Sequence, residues 1–299
     1  MRRTLLEPAP AKLNLALSVD LADEVSGMHA ISSWMVTVDF VDDLHVSRLE
    51  DGSISRYSID WHASAPRRSE INWRLTDDLA VRAHLAMERY TGRQLPIQLR
   101  MEKRIPVGGG LGGGSSNAAA MLRACNQLFD LHLDADTLRH IAASLGSDVP
   151  FLVEGGSAIV SGFGERIEPQ CTLPDCAAVL ILPEVSCSTG AVYQRYDATA
   201  ASPLDSDAVT AAVTGGPLFN DLALSAMEVA PDLKRLAGHV EATAGRDLHV
   251  SGSGSTLFLV CDTSFEAGTL ASAITSHHDV PSVPVRPADI ESGCVEMTD

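Results

Sequence analysis

Near its start the chain alternates. Ala11, Leu13, Leu15, Leu17 and Val19 are apolar, while Lys12, Asn14 and Ser18 between them are polar. A period of two predicts a strand over Ala11–Val19 with one buried and one polar face. Ser33–Val46 (SWMVTVDFVDDLHV) is rich in β-branched and aromatic residues and predicts more strand, as do residues 53–61. The spacing then turns helical. Leu79, Ala83, Ala86 and Met87 share one face of a helix over Asp77–Tyr90, with Gly92 placed to stop it. Alternation returns over Leu95–Ile105. Beyond a glycine-rich interval, Ala118, Met121, Leu122, Cys125, Leu128 and Phe129 form an apolar helical stripe, with Ser115 or Ser116 placed to cap it. Further on, the pattern predicts a helix over Ala135–Ser144, ending at Gly146, and strands over Ser157–Val160 and Ala177–Leu182. Residues 188–244 read as mainly helical, with a turn at Gly215-Gly216-Pro217. Leu248–Cys261 reads as strand, loop and strand, and 264–276 as a last helix. Helices and strands mix without regular βαβ alternation, so the expected class is α+β layers, not a doubly wound sheet.

A length of 299 residues allows one large domain or two modest ones sharing a cleft, and 45% hydrophobic residues predict a sizeable core. Acidic residues outnumber basic ones 39 to 22, a net charge of −17. That surface repels nucleic acid and anionic membranes, so neither is expected as a partner. It also means that any bound phosphate must be attracted by local groups. There is no run of 18 apolar residues to cross a membrane, and Glu7, Lys12 and Asn14 interrupt the apolar stretch that a signal peptide needs. The six cysteines, at 125, 171, 176, 187, 261 and 294, form no CxxC pair and no zinc-like spacing; Cys125 and Cys261 fall in apolar runs. A reduced, cytoplasmic protein is expected, as a monomer or homodimer.

Residues 106–116 read Pro106, Val107, Gly108, Gly109, Gly110, Leu111, Gly112, Gly113, Gly114, Ser115 and Ser116. Strand, glycine loop and helix in that order suit a phosphate group: glycines let backbone N–H groups turn inward, and the helix N-terminus adds partial positive charge. The P-loop is excluded because no lysine follows the last glycine. The dinucleotide fingerprint is excluded by the pattern upstream of the loop and by a helix that runs on to Phe129-Asp130, where that motif needs its acidic residue. A loop that only packs tightly on another backbone would share the glycine richness.

The run from Pro106 to Ala119 resembles the ATP-binding motif of the GHMP kinase superfamily. Three other stretches resemble that superfamily in the same order: Pro10-Ala-Lys-Leu-Asn-Leu, Leu145-Gly-Ser-Asp-Val-Pro-Phe and Ser251-Gly-Ser-Gly-Ser-Thr-Leu-Phe. The doubled-glycine form is most similar to the family acting on 4-diphosphocytidyl-2-C-methyl-D-erythritol, in the non-mevalonate route to isoprenoids. The resemblance implies a two-domain α+β fold, with an ATP-binding domain over 1–165, a substrate-side domain over 166–299, and the active site in the cleft between them. It implies an enzyme using ATP and Mg²⁺ to phosphorylate the 2-hydroxyl of that small-molecule alcohol. By the same resemblance Asp148 is the base, Lys12 its cationic neighbour, and residues 106–116 the ATP cradle. Asn14 orients a substrate hydroxyl, Ser251–Ser255 brings N–H groups to the substrate side, and Met28, His29 and Tyr193 hold the cytosine. The resemblance names no metal ligand. Two positions depart from the family pattern. Met28 stands where an aromatic is usual, and Asp78 where asparagine lies near the adenine, leaving Asp78 either to accept from the adenine amino group or to cap a helix. The rival readings are a GHMP kinase of homoserine, a mevalonate derivative or a sugar, and a nucleotide-binding regulator without turnover.

Overall fold

The computed structural model describes residues 3–170, 173–199, 201–290 and 295–297; Cys171 and Cys294 lie outside them. The strands are β1 (Thr4–Ala22), β2 (His29–Arg48), β3 (Arg56–Trp61), β4 (Ile97–Lys103), β5 (Ser157–Gly162), β6 (Arg166–Pro169), β7 (Ala177–Ile181), β8 (Phe219–Asn220), β9 (His249–Val250), β10 (Leu257–Cys261), β11 (Ser282–Val285) and β12 (Val295–Met297). The helices are α1 (Leu79–Thr91), α2 (Gly113–Leu128), α3 (Ala135–Ala143), α4 (Val149–Leu152), α5 (Thr189–Thr199), α6 (Ser206–Val213), α7 (Ala223–Val229), α8 (Pro231–Ala244) and α9 (Ser264–His278).

One sheet is ordered β12-β1-β2-β4-β3, with β5 and β6 extending from β2 and β8 pairing β1; a second is ordered β11-β7-β10-β9. The long β2 serves two neighbours on one edge. Its first part, Ile31–Val36, pairs antiparallel with β5, and its last, Asp43–Arg48, with β4. Helices α1, α2 and α3 cover one side of the large sheet, where Ala83, Met87, Met121 and Leu122 meet Leu44, Val46, Leu99 and Met101. In a second cluster, Leu13, Val36 and Val38 from the large sheet pack with Leu180 and Phe258 of the small one. Helices α8 and α9 bury Leu233, Val240 and Ile274 against Val179, Ile181 and Leu259 on the small sheet's other face. The layers are helix, sheet, sheet, helix, each apolar face closed by its neighbour.

The expected elements are present with shifted ends. The strand expected at Ala11–Val19 runs Thr4–Ala22, through Pro8 and Pro10. Proline has no N–H for a ladder. Among the described residues β12 joins this edge of β1 only at Thr4–Leu6 and β8 only at Ala16–Leu17, so both prolines lie in a stretch that needs bonds on one side. The polar face of this strand is a correction. Lys12, Asn14 and Ser18 are buried like their apolar neighbours, because other chain segments close over them. The α1 helix stops where Gly92 takes a left-handed conformation, as expected.

Candidate active site

The glycine loop hangs from a buried carboxylate. Asp42, on β2, is fully buried and ion-paired with Lys103 at the end of β4. It accepts hydrogen bonds from the backbone N–H groups of Arg104 (2.5 Å) and Ile105 (2.8 Å) and from Asn117 Nδ2 (3.1 Å). Strand end, loop start and first turns of α2 are thus tied to one group. Gly108, Gly110 and Gly112 have positive φ, which costs glycine nothing and other residues strain. Gly110 abuts a second loop, Ser251–Thr256: a Cβ there would lie 2.1 Å from the Ser251 carbonyl oxygen. Ser251 Oγ donates to Gly110 O (3.0 Å), and Thr256 N donates to Gly109 O (3.0 Å). Gly108, by contrast, faces open space. One stretch therefore holds both a packing contact and an open backbone.

The expected serine cap is a correction. Helix α2 starts at Gly113 with Gly112 as its N-cap and no side-chain capping bond. Glycine at this position offers no side-chain acceptor, so no capping bond satisfies the start of this sixteen-residue helix. Ser115 lines the cavities, while Ser116 is buried with an unpartnered Oγ.

Lys12 stands under this loop. Its backbone N–H donates to Leu111 O (2.9 Å), and its stem packs where a Cβ on Gly112 would lie 2.9 Å from Lys12 Cγ. Its ammonium donates to Asn14 Oδ1 (2.6 Å) and lies 3.5 Å from Asp148 Oδ2. Asn14 in turn donates to Ser33 Oγ (2.8 Å), which donates to Ala16 O (2.8 Å). Sequence alone allows Asp148 to be an ordinary N-cap of α4, but its side chain caps nothing and faces Lys12 instead, 30% exposed. The carboxylate thus lies beside a buried ammonium and is open to a cavity.

A third cluster lies along the same cavity. His29, at the start of β2, shares a hydrogen bond of 2.7 Å between Nε2 and Asp197 Oδ1. Its ring lies 4.8 Å from that of Tyr193, tilted by 47°. Burial, the charge of Asp148 and nearby Tyr196 push the Tyr193 pKa up to about 12, so its phenol stays neutral. Met28 is 47% exposed at the rim. Lys12, Asn14, Met28, His29, Asp148 and Tyr193 all line one cavity of about 720 Å³, with Gly108, Gly110, Gly112 and Ser115 on its wall. The other face of the loop, Pro106–Ser115, lines a neighbouring cavity of about 480 Å³ together with Trp73, Asp78 and Leu79. Ser116 lines neither.

Of the two roles open to Asp78, the structure shows the cap. Its Oδ1 accepts from the N–H groups of Ala80 (2.9 Å) and Val81 (3.4 Å), and Oδ2 accepts from the Trp73 indole (3.2 Å). Reading the sequence missed Asp42, Trp73, Thr189 and Asp197. Thr189 lines both cavities. Asp197 had a usable signal, being four residues after Tyr193 and so on its helix face. Asp42 had none, because its partners are 61 to 75 residues away.

The model for the N-terminal domain of GHMP kinases matches residues 78–156, which hold the glycine loop, α2 and Asp148. The chain belongs to the GHMP kinases, which are small-molecule kinases using ATP as phosphate donor. The 4-diphosphocytidyl-2-C-methyl-D-erythritol kinase of Polaromonas naphthalenivorans is 36% identical over 263 residues, covering 84% of each chain. The crystal structure of a 4-(cytidine 5'-diphospho)-2C-methyl-D-erythritol kinase superposes with a TM-score of 0.74 at 30% identity, over 96% of this chain and all of that one. Within the GHMP kinases, then, this chain is a member of the 4-diphosphocytidyl-2-C-methyl-D-erythritol kinase family. A homoserine kinase from Cytophaga hutchinsonii superposes with a TM-score of 0.65 over 98% of this chain and 97% of that one, but at 16% identity it shares the fold alone. Among the described residues no helix is long and apolar enough to cross a membrane.

Proposed function

We propose that this chain transfers the γ-phosphoryl group of ATP to the 2-hydroxyl of 4-diphosphocytidyl-2-C-methyl-D-erythritol. The observation that carries the reading is the Lys12–Asp148 pair beside the open backbone of the glycine loop, with the His29–Tyr193 cluster on the same cavity wall. Asp148 takes the hydroxyl proton as that oxygen bonds to the γ-phosphorus and the bond to the β-bridging oxygen breaks, releasing ADP. Lys12, beside Asp148, offsets charge on the transferring group. Asn14 orients the hydroxyl. Residues 106–116 cradle the phosphates, with the loop's backbone N–H groups beyond Pro106 and those at the uncapped start of α2 as donors. Met28, His29 and Tyr193 hold the cytosine.

Magnesium, when bound with ATP, supplies charge neutralisation on the phosphate oxygens. Ser115, which lines both cavities at the start of α2, is the oxygen donor of the loop that fits such an ion. We assign the ATP-binding unit to residues 1–165 and the substrate-side unit to 166–299, with the active site in the cleft between them, and place the reaction in the cytoplasm. The test is ADP release by the purified protein with the cytidine-linked alcohol, homoserine, mevalonate and simple sugars. Turnover confined to the first supports the reading; turnover on another alcohol, or none on any, overturns it.

A further inference from the structure

An ionised carboxylate only accepts, so the 2.7 Å contact between Asp197 Oδ1 and His29 Nε2 bears on where a neutral imidazole carries its proton. A neutral imidazole has one N–H, and a bond to a carboxylate places that N–H on Nε2. Nδ1 is then an acceptor, and among the described residues it has no hydrogen-bond partner. The ring cannot turn freely to exchange its nitrogens, because Tyr193 lies 4.8 Å and Tyr196 6.3 Å from its centroid. Tyr196 is itself fixed by a 2.5 Å bond from its hydroxyl to Val19 O. The fixed acceptor belongs to a ring that lines the larger cavity.

We propose that Asp197 is a positioning residue that sets base specificity: it holds His29 in the tautomer whose free nitrogen accepts. Such an atom pairs with the 4-amino group of cytosine. Uracil presents a carbonyl at the same place, which sets one lone pair against another. The inference rests on the cytidine reading above and adds the reason that a uridine counterpart is refused.

The test is calorimetric titration of CDP and UDP into the wild type, Asp197→Asn and Asp197→Ala, with ADP as the control ligand. The wild type should favour CDP by about tenfold or more, the scale of a buried acceptor left facing an acceptor. An amide can donate as well as accept, so Asp197→Asn lets both tautomers form. Its preference should fall to within about threefold of unity, chiefly by weaker CDP binding, and Asp197→Ala should behave alike. ADP affinity should stay at the wild-type value in both. A CDP to UDP ratio that survives both substitutions, or equal loss of CDP, UDP and ADP, overturns the proposal and leaves the cytidine reading standing. No CDP binding by the wild type overturns both. A measurement on the wild type alone does not depend on the variants folding. Nitrogen-15 shifts of the His29 ring, read where they report it neutral, should show Nε2 protonated and Nδ1 bare; a neutral ring with its proton on Nδ1 overturns the proposal.

Discussion

At the scale of single residues, the site separates charge that must stay from charge that must move. Lys12 is buried and bonded to Asn14, while Asp148 keeps its side chain partly open and uncommitted to α4. Asp148→Asn preserves shape and removes the proton acceptor. Turnover should fall about 10²–10⁴-fold, the usual contribution of a general base. ATP affinity should stay close to the wild-type value, since the residue lies outside the glycine loop. Single-turnover kinetics together with nucleotide titration would check this, and near-normal turnover removes Asp148 from the role of base. The aromatic contact around His29 is one-sided. Tyr193 and Tyr196 approach it, and Met28 at the rim contributes a thioether. Met28→Tyr adds a second ring and should tighten CDP about two- to twelve-fold, the worth of a stacked pair at about 0.5–1.5 kcal/mol. His29→Ala should weaken CDP, and neither change should alter ADP binding, as calorimetry would read directly.

At the scale of elements, the glycine loop has a packing contact and a proposed phosphate-binding face that substitution can separate. Gly108 has φ +72° with nothing within 4 Å of a would-be Cβ, so Gly108→Ala meets backbone strain but no clash. A left-handed alanine costs about 1–3 kcal/mol. That cost falls on an open segment facing both cavities, so ATP affinity should drop while the melting temperature falls by only a few degrees. Gly110→Ala must push away the Ser251 carbonyl, and should lower melting temperature and both ligand affinities together. Thermal melts with and without ATP distinguish the two, and identical behaviour would show that the loop has a single role. The same stretch shows what was legible in the sequence. Periodicity located β1, β2, β4, α1 and α2 because each buries one side against the next layer, and hydrophobic period reports that. Four motifs in order pointed to Lys12, Asp148 and the loop. The buried polar face of β1 was not legible, because what covers Lys12 and Asn14 arrives from Leu111–Gly112 and Gly252, far along the chain. The missing cap on α2 was illegible for a related reason. Two serines in the first turn look like caps, and only geometry shows the helix starting ahead of them at Gly113.

At the scale of the whole molecule, charge works against the chemistry. The chain carries −17, and both proposed substrates are anions. The cations at the two cavities do not reverse that field, because each already faces a carboxylate: Lys12 faces Asp148, and Lys103 is paired with Asp42. Arg104, next in the chain, is likewise bonded to Asp43 at 2.8 Å. On the proposed reading, capture of phosphate is left to backbone N–H groups and the helix end, whose reach is about one helical turn. An anion approaching from farther away therefore meets net repulsion. Salt screens that repulsion, since the Debye length shrinks from about 30 Å at 0.01 M to about 8 Å at 0.15 M ionic strength. The association rate for ATP should accordingly rise several-fold between those conditions, at saturating magnesium, whereas an electrostatically steered enzyme would slow. Stopped-flow measurement of nucleotide association over that range gives the sign. A rate that falls with salt would mean that the loop's local field already outweighs the global charge at the distance where encounter is decided.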